Sequence, residues 1–332
     1  MSSTYDALLP VVLLISAGYF AGHRGWLDPH GVRQLSALSF GLLCPALLFR
    51  TMTRVSVEWA ELAAVAGYLC AEVLILGALL FALGRSATGV ILAMSATFGN
   101  TVMIGIPLIG LAFGEAGLVY LFALVSAHSV LMLTLVTVAL EWLTASRLAG
   151  QTRIRSALAA LGQAVIHPIT LPILLGLAWG QTGWAIPALL DRPLEWLGLG
   201  FSPIALLMVG ISLAHIVAER GLRPAAAVVA VSDPTSPAAP PGQLLRQAAG
   251  FTLLKNILHP VLAALICMML GVRGLPVAVV VLAAALPIGA TVLLFAQRYQ
   301  VAREQVTTAI AVSTFSALLT LPIALTITRS LE

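Results

Sequence analysis

The chain has 332 residues, 60% of them hydrophobic and only 9% charged, with a formal net charge of +4. Soluble domains carry about 25% charged residues, so this composition excludes an ordinary water-soluble fold and points to the bilayer as solvent. Apolar runs matching a hydrocarbon core of about 30 Å recur along nearly the whole length, without the ten-residue alternation of a membrane β-barrel, so the spans must be helices.

The first run, Leu8 to Ala21, follows Asp6 and no Lys or Arg, and reads as a retained helix rather than a secretory signal. Spans are expected at Tyr5 to Ala21, Leu35 to Phe49, Leu62 to Leu83, Gly89 to Phe113 and Gly117 to Leu140. Further spans are expected at Ile166 to Gly180, Leu194 to Ile216, Gln247 to Leu270, Leu275 to Gln297 and Arg303 to Thr328. The chain thus reads as an all-α polytopic membrane protein with about ten transmembrane helices. Between the seventh and eighth, Pro224 to Gln243 is rich in Pro, Ala and Ser, and its prolines forbid a continuous helix.

Taking alternate connections, Arg24, Arg33, Arg85, Arg147, Arg153, Arg155, Arg220, Arg223, Arg246, Lys255, Arg298 and Arg303 fall on one side. Arg50, Arg54, Arg192, Arg273 and Arg329 fall on the other. The richer side is cytoplasmic by the positive-inside rule, which places both termini outside the cytoplasm.

The two halves have related spacing. Pro10 and Pro172 are 162 apart, and Pro45 and Pro203 are 158 apart. Beyond the linker the offset grows to 185 between Leu62 and Gln247. Residues 1–145 and 166–332 therefore read as two five-helix repeats, joined by a cytoplasmic connection at 146–165, with a flexible linker at 219–246 inside the second. An odd number of spans per repeat inserts the second upside down, as in many secondary transporters.

Span four contains Asn100, Thr101, Gly105 and Pro107 inside an otherwise lipid-soluble run, and span nine repeats the pattern with Pro287, Gly289 and Thr291. Pro removes a donor and clashes with the preceding turn, whereas Gly accepts unwound backbone. Single Pro or Gly positions also serve as plain kinks in membrane helices. Two interruptions at corresponding positions point to a midplane binding site, where half-helix N-termini suit a carboxylate.

The segment SATFGNTVMIGIPLIGLAFGEAG resembles the fourth helix of the auxin efflux carrier family, and LPIGATVLLFAQRYQV resembles its ninth. LLKNILHPVLAAL, HPITLPILLGLAWG and SPIALLMVGISLA resemble the eighth, sixth and seventh, so the resemblance covers the chain in order. It implies the crossed-helix fold shared with the bile-acid sodium symporters, with spans four and nine crossing at the substrate. Spans three to five and eight to ten would form a core and the other four a scaffold. It further implies a small organic anion as substrate, malonate or an auxin-like acid among them, a bacterial inner membrane, and a homodimer. The family's ninth helix often carries Asn where this chain has Thr291, so a hydroxyl replaces an amide.

Glu72 lies mid-span, and the repeat offset places it near the equivalent of Lys255, the only lysine in the chain. Either the two pair, or Lys255 supplies a fixed cation where a related symporter would hold sodium; the alternative is that Lys255 snorkels to the surface. His128 and His259 join them as candidates for coupling, with hydrogen-bonded packing as the plainer reading. Cys44, Cys70 and Cys267 lie in apolar runs and read as filler. Trp26, Trp59, Trp142, Trp179, Trp184 and Tyr299 fit an interfacial aromatic belt.

No phosphate-binding loop precedes Lys255, whose neighbour is Leu254, and no H-E-x-x-H pattern occurs. A motif-driven ATP pump and a zincin are excluded, and no catalytic, metal or cofactor site is assigned. Scattered arginines exclude a nucleic-acid patch. The leading reading is a secondary transporter or facilitator of small organic anions working by alternating access. A membrane channel or sensory receptor for such an anion is the alternative.

Overall fold

The computed structural model describes residues 2–54, 59–144, 162, 166, 168–219 and 241–330. Most of the connection expected at 146–165, and most of the linker expected at 219–246, lies outside them, together with Arg147, Arg153, Arg155, Arg220 and Arg223.

Regular structure among the described residues is helical throughout, and no strand occurs. Helix α1 is Ser2–His23, α2 Pro29–Leu38, α3 Cys44–Met52, α4 Trp59–Leu83, α5 Ala87–Ser95 and α6 Ile106–Thr144. Helix α7 is Thr170–Gln181, α8 Ala188–Glu219, α9 Pro241–Leu253, α10 His259–Met269, α11 Leu275–Ala284, α12 Thr291–Arg298 and α13 Arg303–Arg329. Among the described residues six stretches are long and apolar enough to cross a membrane: His30–Met52, Leu62–Leu83, Thr101–Leu143, Ala188–His215, Gly242–Met269 and Arg303–Arg329. Leu9–His23 and Leu275–Ala284 are shorter apolar helices.

The 43 residues of Thr101–Leu143 would extend about 65 Å as one helix, roughly twice the hydrocarbon core. Gly114 resolves this: its φ of 64° and ψ of −157° break α6 into 106–113 and 115–144. Phe81 is 92% exposed and Met269 85%. Surfaces this apolar belong against lipid, not water.

Three π turns interrupt the helices, at Ser39–Leu43, Thr101–Gly105 and Leu254–Leu258. Each ends two residues before a proline: Pro45, Pro107 and Pro260. Widening the preceding turn relieves the clash between the proline ring and the carbonyl four residues back, so the helix bends instead of ending.

The second span starts earlier than the hydropathy of 35–49 indicates, because Asp28 caps it by accepting the Gly31 N–H at 2.7 Å and Pro29 occupies its first position. Glycines set the packing of one group of helices. A Cβ at Gly22 of α1 would lie 2.8 Å from the Ala214 Cβ of α8, and at Gly176 of α7 it would lie 2.6 Å from the Phe49 carbonyl oxygen of α3. Helices α1, α3, α7 and α8 thus pack backbone to backbone, as small residues permit in membranes. In a second group α4 packs on α10 and α6, α9 on α13, and α11 on α4, α6, α10 and α13.

Candidate functional site

The two interruptions predicted from Gly and Pro meet in space. Helix α5 stops at Ser95 and the chain resumes helical form at Thr101, while α11 stops at Ala284 and α12 starts at Thr291. Between them Gly99 and Ile288 form an isolated antiparallel bridge. The Asn100 N–H donates to the Pro287 carbonyl at 2.8 Å, and the Gly289 N–H donates to the Phe98 carbonyl at 2.9 Å. The Ile288 N–H donates to the Ser313 hydroxyl of α13 at 3.1 Å. Two unwound segments therefore satisfy each other's backbone, as buried polar groups in a membrane require.

Side-chain volume explains why glycine is needed here. A Cβ on Gly289 would stand 2.8 Å from the Gly99 carbonyl oxygen, and one on Gly105 would stand 2.7 Å from the Leu286 side chain. Pro287 can lack its N–H because only its carbonyl is used, and buried Pro107 follows the π turn that begins at Thr101.

The crossing is polarised. The helical runs starting at Thr101 and Thr291 present N-terminal N–H groups to it, whereas α5 and α11 end there in carbonyls. Partial positive charge thus gathers on one side and partial negative on the other. Asn100 and Thr291 are half-buried and Ala290 is exposed on the first side, with Thr101 buried beside them. On the second side the Lys255 ammonium donates to the Ala284 carbonyl at the end of α11. Lys255 is fully buried, and its Nζ lies 3.1 Å from where a Gly99 Cβ would be. Its side chain runs inward to the crossing, not out to the surface, and a cation at a helix C-terminus is favourable.

Next to Lys255 lies a closed polar cage. Tyr68 and Glu72 from α4, His128 from α6 and His259 from α10 are all 0% exposed. His128 Nδ1 lies 2.8 Å from the Glu72 carboxylate. Glu72 is within electrostatic reach of Lys255, but its direct partner is His128. The Tyr68 ring contacts His128 at 5.8 Å and His259 at 4.9 Å between centroids, and Phe98 of the crossing contacts His128 at 4.5 Å. Of the residues singled out in the sequence, Asn100, Pro287 and Gly289 bond at the crossing, Gly105 lies against Leu286, Lys255 lies against Gly99, and Glu72, His128 and His259 meet around Tyr68.

The sequence profile of a family described as membrane transport protein matches residues 3–325. The chain belongs to this family, that of the auxin efflux carriers. A Rhizobium meliloti (strain 1021) protein provisionally named a malonate transporter is 27% identical over 341 residues, which cover 99% of this chain and 97% of the relative. A transporter, rather than an enzyme, is what both matches indicate.

Several residues of this auxin efflux carrier family member escaped the sequence. Tyr68 carried a usable signal, since it precedes Glu72 by one helical turn and shares its face. Ser313 carried none: a serine in an apolar helix is ordinary until Ile288 is found beside it. At the membrane edge Arg50 of α3 makes a bidentate contact with Asp191 of α8, at 2.7 and 3.2 Å. Glu115, just past the Gly114 break, reaches Arg54 at 3.7 Å and Arg50 at 4.0 Å, tying α6 to the end of α3. Among the described residues no cluster of His, Cys, Asp or Glu suits a metal ion.

Proposed function

We propose that this auxin efflux carrier family member moves a small carboxylate across the membrane by alternating access, with the carboxylate held at the crossing by the N–H groups that open at Thr101 and Thr291. The observation that carries the reading is the meeting of two half-helix N-termini beside Asn100 and Thr291, in a chain whose family is transport. Malonate is the first candidate because the Rhizobium meliloti relative bears that name. The elements group into ten spans: α1; α2 with α3; α4; α5 with 101–113; 115–144; α7; α8; α9 with α10; α11 with α12; and α13. Two inverted repeats of five, with α1, α2, α3, α7 and α8 as a scaffold and the rest as a moving core, account for paired breaks in spans four and nine. Both termini face away from the cytoplasm of a bacterial inner membrane, and the carrier works as a homodimer.

The test is exchange of labelled malonate, with indole-3-acetate as second substrate, in proteoliposomes of the purified protein. Saturable counterflow is expected. Asn100→Ala, checked for an unchanged elution profile and thermal midpoint, should lower it by about 10- to 100-fold if the amide bonds a charged group directly. Counterflow unaffected by Asn100→Ala would remove the substrate from the crossing. Flux that never saturates would replace the carrier by a pore.

A further inference from the structure

Resting on the anion-carrier reading, we propose that the cage behind the crossing is a proton-binding site, and that one proton, held by the His128–Glu72 pair, travels with the anion. The protein is then a proton–anion symporter.

The cage leaves polar atoms unused. His128 Nε2 and both ring nitrogens of His259 are buried without a hydrogen-bond partner. Isolated atoms of this kind are costly, and packing histidines normally spend both nitrogens. Three together, on two histidines that both contact the Tyr68 ring, describe a site built to take up protons or water.

Charge decides which group loads. Lys255 faces the cage from the π turn between α9 and α10, Glu72 and Tyr68 face it from α4, His259 from α10, and His128 from α6. The Lys255 ammonium already donates to the Ala284 carbonyl. Glu72 balances that ammonium, so with both histidines neutral the buried charge sums to zero, the condition a low-dielectric interior favours. His259 packs on the Tyr68 ring and has no carboxylate in hydrogen-bond contact, so a positive charge there has no direct partner. His128 has the carboxylate in direct contact, so a proton taken up at its unpartnered Nε2 is offset by the Glu72 charge.

Loading His128 leaves the cage with one surplus positive charge. The nearest place for a compensating anion is the crossing: Phe98 lies against the His128 ring and Gly99 against the Lys255 ammonium. Anion at the half-helix ends and proton at His128 therefore stabilise each other, and the linkage is reciprocal. The step is a bare proton transfer. His128 Nε2 accepts the proton from water on one side and returns it to water on the other, and no other bond is made or broken.

The experiment uses the purified full chain in proteoliposomes, with malonate as probe and the membrane potential clamped. Wild type should show counterflow without a gradient, and at zero potential an inward proton gradient of one pH unit should drive about tenfold accumulation of the malonate dianion carried one to one with a proton. An internal pH dye should report acidification that needs malonate. His128→Gln, which keeps a hydrogen bond to Glu72, should exchange malonate only with weakened affinity and neither accumulate it nor carry protons, and Glu72→Gln provides the second variant. Wild-type counterflow without accumulation or acidification overturns the proposal while leaving the carrier reading standing. So does gradient-driven accumulation that survives in both variants. Absence of any counterflow in wild type refutes the carrier reading itself, and the symport falls with it.

Discussion

Replacing Gly289 with alanine adds one methyl at the tightest point of the crossing. The new Cβ would stand 2.8 Å from the Gly99 carbonyl oxygen, 3.1 Å from its carbon and 3.2 Å from a Phe98 ring carbon. Two of these are backbone atoms, which cannot rotate away, so the two segments must separate. Separation strains or breaks the Gly289 N–H bond to Phe98 and the Asn100 N–H bond to Pro287. Overpacking of this kind costs about 1–3 kcal/mol, and each backbone bond about 0.5–1.5 kcal/mol more. The control is Gly77→Ala, on the lipid-facing side of α4, where a Cβ meets nothing within 4 Å and helix propensity favours alanine. Thermal unfolding of both proteins in detergent, followed by tryptophan fluorescence, should show a clear drop in midpoint for Gly289→Ala and none for Gly77→Ala, with malonate counterflow lost only in the first. An unchanged midpoint and transport for Gly289→Ala would refute the contact geometry of the crossing.

Lys255→Met leaves the Ala284 carbonyl without its donor, which should cost about 1–3 kcal/mol and lower the thermal midpoint. Because Glu72 then also loses its countercharge, the double variant Lys255→Met/Glu72→Gln should be less damaged than the sum of the singles, and strict additivity in that cycle would argue against electrostatic coupling. Arg50→Gln should lower the midpoint more than Arg54→Gln, since Arg50 alone has bidentate geometry with Asp191 and is largely shielded from solvent, and added salt should shrink the Arg54 effect first. With the native cysteines replaced, Gln181→Cys should react in intact cells with a membrane-impermeant maleimide, and Gln297→Cys only after lysis; the opposite pattern would invert the assigned orientation.

Much of the architecture was legible from residue type alone. Sixty per cent apolar residues in long runs exclude every spanning structure except helices, because a backbone in lipid must pair with itself. The interruption at Pro287–Gly289 was legible for a related reason, since these residue types change the local backbone, whereas in span four the unwound stretch falls at 96–100, ahead of Gly105 and Pro107, which continue the helix through a π turn. The π turns were latent in the same prolines but need a coordinate to distinguish a widened turn from a simple kink. The start of the second span at Pro29 was hidden because capping is a local geometric event that hydropathy averages away, whereas the break at Gly114 falls in the gap expected between Phe113 and Gly117.

Partnership could not be read from the chain. Repeat spacing brought Glu72 close to Lys255, yet only the packing of α4 on α6 gives Glu72 to His128, and only the approach of α11 gives Lys255 the Ala284 carbonyl. Ser313 and Ile288 are 25 positions apart and become partners through a crossing that no periodicity encodes. By itself the sequence determined the solvent, the helices and the places where they break, all consequences of short-range chemistry. Which broken ends face each other, and which buried charge answers which, was decided by the tertiary structure, because electrostatics and hydrogen bonding act through distances that exist only once the helices are packed.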